Sequence, residues 1–90
     1  MRFVHAREYL NAGDIVIVNC SHQCNIRVMD DLDFQNFKSG GTHHYYGGFY
    51  RRLPARIPVP QAGFWNVTVD LGASPSAFRY DISYMKFAAA

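Results

Sequence analysis

No apolar run in this 90-residue chain exceeds four residues, so no segment approaches the roughly 20 that a membrane-spanning helix needs. The opening Met-Arg-Phe-Val-His-Ala-Arg-Glu returns to charge at Arg7 and Glu8, before an apolar stretch of signal-peptide length can develop. These absences set the expectation of a soluble cytoplasmic protein with no membrane partner. Charge of one sign is also scarce: nine Lys and Arg against seven Asp and Glu leave a formal +2. That is too little for a clustered basic face, which argues against nucleic acid as the partner. The catalytic signatures are missing too. There is no G-x-S-x-G, no Walker loop, no H-E-x-x-H and no carboxylate pair in an evident cleft, so no enzyme and no cofactor are expected. Only two cysteines occur, and in a reducing compartment they are most simply free thiols.

What the chain does hold is apolar and aromatic side chains, 49% and 16% of the residues, enough to fill the core of one small domain spanning residues 1–90. Their spacing is that of strands. Leu53, Ala55, Ile57 and Val59 alternate with Pro54, Arg56, Pro58 and Pro60, and the prolines, lacking donors, place that strand at a sheet edge. Trp65, Val67, Val69 and Leu71 share one face of a second strand; Asn66, Thr68 and Asp70 share the other. Phe78, Tyr80, Ile82 and Tyr84 give a last strand, after a turn over residues 72–76 and before an alanine tail at 88–90 expected to fray.

Nearer the start, Asn11-Ala-Gly-Asp14 reads as a turn between residues 3–10 and the β-branched run 15–19. Cys24, Ile26 and Val28 then alternate with Asn25, Arg27 and Met29, and the two runs read as a hairpin. Around residues 31–38 the rhythm breaks, with an aspartate placed to cap one or two helical turns and Leu32, Phe34 and Phe37 able to pack inward. A further strand is expected over 43–50. The sum is an all-β fold: a small sandwich or flattened barrel of about seven mostly antiparallel strands with one short helical turn. Its expected core is Val16, Val18, Cys24, Ile26, Val28, Ile57, Val59, Trp65, Val67, Val69, Tyr80 and Ile82.

Four strings carry a resemblance. His22-Gln-Cys-Asn-Ile-Arg-Val-Met-Asp-Asp31, Asn36-Phe-Lys-Ser-Gly40, His44-Tyr-Tyr-Gly-Gly48, and Pro60 with Gly63 and Trp65-Asn-Val-Thr-Val-Asp-Leu-Gly72 occur in that order over nearly the whole chain. In them the sequence resembles the uncharacterised bacterial family called domain of unknown function 1883. The resemblance implies an all-β bacterial domain found alone or joined to TIR signalling domains, hence a sensing or recognition module. It implies no catalytic residues. The turn after Gly72 is poorer in glycine than the family pattern.

Several constellations invite a chemical reading. Cys20-Ser-His-Gln-Cys24, completed by His43 or His44, has the ligand types of a zinc site but not the spacing of a zinc knuckle. The plainer reading makes both cysteines small hydrophobes flanking a loop, and a disulfide closing that loop is the third. Asp30, Asp31, Asp33 and Asp70 could bind calcium, or cap a helix and face solvent. Arg27, Lys38, Arg51, Arg52 and Arg56 could converge on an anion or stay solvated. The densest cluster is Gly-Gly-Thr-His-His-Tyr-Tyr-Gly-Gly-Phe-Tyr-Arg-Arg from Gly40 to Arg52. Tyrosines beside arginines can stack on a sugar, a base or a partner's side chain, whereas a bulged strand packing its tyrosines across the sandwich is the structural alternative.

The resulting expectation is a non-enzymatic binding or sensor module of unknown ligand or protein partner, with His44, Tyr45, Tyr46, Arg51 and Arg52 at the ligand surface and no metal. The alternatives are a self-associating interaction protein and a zinc protein using Cys20, His22 and Cys24.

Overall fold

A computed structural model of the chain describes residues 2–72 and 77–87. Seven strands and one helix follow in the order β1 (Val4–Leu10), β2 (Ile15–Cys20), β3 (Cys24–Asp30), α1 (Asp31–Lys38), β4 (Tyr46–Tyr50), β5 (Ala55–Pro58), β6 (Gly63–Asp70) and β7 (Tyr80–Met85). They form two antiparallel sheets, β1-β6-β3-β4 and β5-β2-β7, packed as an open sandwich rather than a closed barrel. The expected turn beyond Gly72 and the alanine tail lie outside the described residues.

The alternation read from the sequence builds the space between the sheets. Val16 and Val18 from one sheet meet Ile26, Val28, Val67 and Val69 from the other, all at 0% exposure, with Trp65, Ile57 and Val59 around them. Removing such side chains from water is worth about 1.5–3 kcal/mol each. Of the expected core, Tyr80 stays outside it and Ile82 packs against it only partly buried. Tyr80 remains 49% exposed and Ile82 is half-buried, because β7 is an edge strand with a neighbour on one side only. The proline-bearing strand β5 is also an edge, as its missing donors require.

The expected hairpin of residues 15–19 with 24–29 does not form. β2 pairs with β5 and β7, and β3 pairs with β4 and β6 in the opposite sheet. An arch through Ser21–Gln23 lets Val16 and Val18 bury against Ile26 and Val28 across the sandwich, while Ile15 and Ile17 stay half-buried on the other face of β2. Side-by-side pairing would leave both faces seeking another cover. The Asn11–Asp14 turn likewise changes sheets. The buried Asp14 carboxylate holds it by accepting the Asn11 N–H at 2.8 Å and the Phe87 N–H at 3.0 Å.

The helix adds a third layer. Asp30 caps it, its carboxylate accepting the Asp33 N–H at 2.8 Å, and Phe34 and Phe37 pack with Met29 and Phe3 on the outer face of the four-stranded sheet. Leu32 points away instead and is 71% exposed, since inward-facing Phe34 and Phe37 leave it on the helix's solvent side. With this cover, Asn66, Thr68 and Asp70 are as buried as the valines between them. β6 is therefore enclosed on both faces from Trp65 to Asp70, while Phe64 near its start is 46% exposed.

Candidate functional site

The outer face of β3 carries Asn25, Arg27 and Met29, and register places Phe49 opposite Asn25 and Gly47 opposite Arg27. On the other side the same residues oppose Asp70, Thr68 and Asn66 of β6. The buried Asp70 accepts from Arg27 Nη1 at 2.8 Å, from Asn25 Nδ2 at 3.1 Å and from the Gly72 N–H at 2.7 Å. The Arg27 guanidinium also lies 5.2 Å from the Phe37 ring and 5.4 Å from the Tyr45 ring, so the cation is clasped between helix and loop. Arg27 Nε and Thr68 Oγ1, opposite each other in the ladder, are buried without a hydrogen-bond partner among the described residues.

Around this anchored arginine stand exposed aromatics. Tyr45 is 44% exposed and lies 5.7 Å from the His43 ring, which in turn packs edge-on against Phe37. Phe49 is 54% exposed, and the Arg51 guanidinium lies 5.9 Å from its ring. Gly47, between them in sequence, lets β4 sit close on β3, since a Cβ there would stand 2.2 Å from the Ile26 carbonyl oxygen. These side chains form a shelf: the Tyr45 ring beside the fixed Arg27 guanidinium, and the Phe49 ring beside the exposed Arg51.

Of the five nominated residues, the structure brings Tyr45 and Arg51 to this shelf and sends the others elsewhere. Tyr46 lies opposite Val28 with its ring edge-on to Trp65 at 6.0 Å, away from Arg27 although itself 49% exposed. The His44 N–H donates to Asp33 Oδ1 at 3.1 Å, and Arg52 is exposed in the bend after β4. The expected strand over 43–50 starts only at Tyr46, because residues 43–45 run along the helix, tied by that hydrogen bond and by His43 on Phe37. Phe49 stands on this outer face because its ladder partner is Asn25.

The other constellations disperse. Arg27 is committed to Asp70, Lys38 Nζ lies 4.7 Å from the Phe34 ring, and Arg56 pairs in register with Ile17 in the other sheet. They do not form one anion site. The aspartates are likewise occupied: Asp30 caps the helix, Asp33 holds His44, and Asp31 pairs with Arg7 at 2.7 Å while accepting from Asn66 Nδ2 at 2.7 Å. Arg7 first and Asn66 second hold the Asp31 carboxyl down at about 2. Among the described residues no three His, Cys, Asp or Glu side chains are grouped to hold a metal ion.

One cluster has no precursor in the sequence pattern. His5 Nε2 donates to Asn66 Oδ1 at 2.8 Å, continuing Arg7–Asp31–Asn66 into a four-residue polar chain, and the His5 ring stacks on Phe34 at 4.1 Å. Next to it Arg7 lies 3.9 Å over the exposed Phe64 ring, at the edge of a hollow of about 300 Å³ lined by Asp31, Leu32, Phe64 and Trp65 among others. The only advance signal is that one face of β1 reads His5, Arg7, Tyr9.

Two antiparallel sheets, a capping helix and a side-chain shelf on an edge strand define a small β-sandwich domain. Its family follows from a match over residues 1–87: the chain belongs to the family described as "Domain of unknown function (DUF1883)". No curated protein and no solved structure matches it.

Proposed function

We propose that this domain is a non-enzymatic bacterial binding or sensor module, acting in the cytoplasm, and that its ligand surface is the shelf of Tyr45, Phe49 and Arg51 on the outer face of β4. The observation that carries the reading is the pair of half-exposed rings, Tyr45 beside the Arg27 guanidinium that the buried Asp70 fixes and Phe49 beside Arg51. An aromatic ring left half in water at a preorganised place is the means by which small β domains stack on a flat partner, and stacking is worth about 1–3 kcal/mol per ring. Arg51 adds a donor fork for a carboxylate, phosphate or hydroxyl beside the stacked group. The ligand class is thus a ring-bearing polar molecule, a sugar or a nucleotide. The family resemblance, with its implied pairing to TIR domains, supports recognition rather than turnover.

The test is to titrate isotope-labelled protein with oligosaccharides and nucleotides, reading amide shifts. Shifts centred on residues 45–51, abolished in Tyr45→Ala/Phe49→Ala while the melting temperature holds, support the reading. Shifts confined to another face, or no binding across the panel, count against it.

A second reading is self-association. β1 ends the four-stranded sheet with seven residues that include neither proline nor glycine, and among the described residues no strand pairs with its outer edge. Sedimentation across a roughly hundredfold concentration range decides it, a monomer throughout removing the idea.

A further inference from the structure

The arch between the two sheets carries both thiols of the chain. β2 ends at Cys20 in one sheet, β3 begins at Cys24 in the other, and the three residues between them are exposed. Cys24 is wholly buried in the inter-sheet core, and Cys20 packs half-buried against the same cluster. The two side chains are neighbours. Burial first, and then the adjacent Cys20 thiol, push the Cys24 thiol up to about 12. The arch is fixed at Ser21, whose N–H donates to the Arg79 carbonyl at 2.9 Å and whose Oγ accepts the Arg79 N–H at 2.9 Å. Beside it a surface hollow of about 290 Å³ is lined by Asn19, Cys20, Ser21, Arg79, Tyr80 and Asp81.

These placements divide the labour between the thiols. Cys20 borders a hollow that Arg79 and Asp81 also line, and Cys24 is buried in the core beside it. From this geometry we infer that Cys20 and Cys24 are a thiol–disulfide exchange site whose co-substrate is a small carboxylate-bearing disulfide of the oxidised-glutathione class. Arg79 holds a carboxylate of that molecule. The Cys20 sulfur, as thiolate, attacks one sulfur of its S–S bond; that bond breaks, a mixed disulfide forms on Cys20, and the departing thiolate takes up a proton. Cys24 then gives up its proton and attacks Cys20 Sγ, releasing the second small thiol and leaving a Cys20–Cys24 disulfide. The protein dithiol has lost two electrons, and the small disulfide has gained them as two thiols. Cys20 lines the hollow and Cys24 is wholly buried, so the small disulfide meets Cys20 first and Cys24 acts only on the mixed disulfide beside it. The product is a covalent staple between two sheets where β2 and β3 share no ladder.

The inference is independent of the ligand shelf, on another part of the surface. The experiment treats folded, reduced protein with excess oxidised glutathione at neutral pH, followed by intact mass and peptide mapping. The expected result is the loss of two hydrogens with residues 20 and 24 cross-linked, and a melting temperature raised by several degrees. Cys24→Ser should stop at one glutathionyl group on Cys20, and Cys20→Ser should stay unmodified. Should Cys24→Ser fail to fold, acid-quenched early samples of the unaltered chain report the same thing by showing which cysteine is glutathionylated first. Two free thiols after prolonged native exposure, or first modification at Cys24, overturn the inference.

Discussion

Asp70 and Arg27 meet on the outer face of the four-stranded sheet at 2.8 Å, and Asp70 has no exposed surface at all. A charge so placed is tolerated only with its partner present, and removing one member of such a pair costs about 3–5 kcal/mol. Asp70→Ala should therefore lower stability by about 3 kcal/mol, since it also strands Asn25 and the Gly72 N–H. Asp70→Asn, which keeps an acceptor for those two donors, should cost roughly half of that. Urea midpoints of the two variants check the order.

Two carboxyls make stability depend on acid. Asp31 is held down at about 2 by Arg7 and Asn66, and Asp14 is lowered by the Asn11 and Phe87 N–H groups, both from an ordinary 3.8. Between those values the unfolded chain binds more protons than the folded one, so stability rises with pH across that range. The contribution is complete above about pH 5 and is lost as pH falls through 3.8 towards 2. Asp31 is half-exposed, so solvent screening reduces its share to about 1 kcal/mol. Asp31→Asn should flatten the acid limb of melting temperature against pH and leave the curve's shape above pH 5 unchanged.

Neighbouring glycines should respond unequally. A Cβ on Gly47 would stand 2.2 Å from the Ile26 carbonyl oxygen, whereas one on Gly48 would meet nothing within 4 Å, although both have positive φ. Gly48→Ala then carries only conformational strain, about 1–2 kcal/mol. Gly47→Ala must in addition push β4 away from β3, for a total of about 3 kcal/mol or more. Thermal or denaturant unfolding of both variants measures the gap, and equal costs would mean that β4 is not seated so closely on β3.

How much of this could be read beforehand differs by element. Period-two alternation at Trp65, Val67 and Val69 needs only local geometry, so the strands and nearly all of the inter-sheet core were legible. Pairing is a global matter: the same apolar face on residues 15–19 and 24–29 is satisfied by a hairpin or by an arch, and only the choice of cover decides. Asn66, Thr68 and Asp70 look like a solvated face because their cover comes from distant segments, the helix's Asp31 at Asn66 and the Asn25 and Arg27 side chains at Asp70. The site was half-legible for the same reason. Composition pointed to residues 40–52, but the separation of Tyr45 from Tyr46 depends on where β4 begins, and that is set by His44 bonding Asp33 eleven residues earlier. Arg27 had no sequence cue for its partner, forty-three residues away.

The helix and the inter-sheet space bury separate clusters, and the two should fail separately. Phe37 packs with Phe3, His43 and the Arg27 guanidinium on the outside of the sheet, whereas Trp65 is 4% exposed on the inside. Phe37→Ala should cost about 3 kcal/mol by loss of a nearly buried ring, with the native Trp65 emission remaining that of a buried indole because the valines around it are untouched. Leu32→Ala, earlier in the same helix and exposed to water, should change stability by less than about 0.5 kcal/mol. If Phe37→Ala shifted Trp65 emission to that of a wetted ring, the two clusters would be one cooperative core, and the helix would be part of what holds the sheets together rather than a lid on one of them.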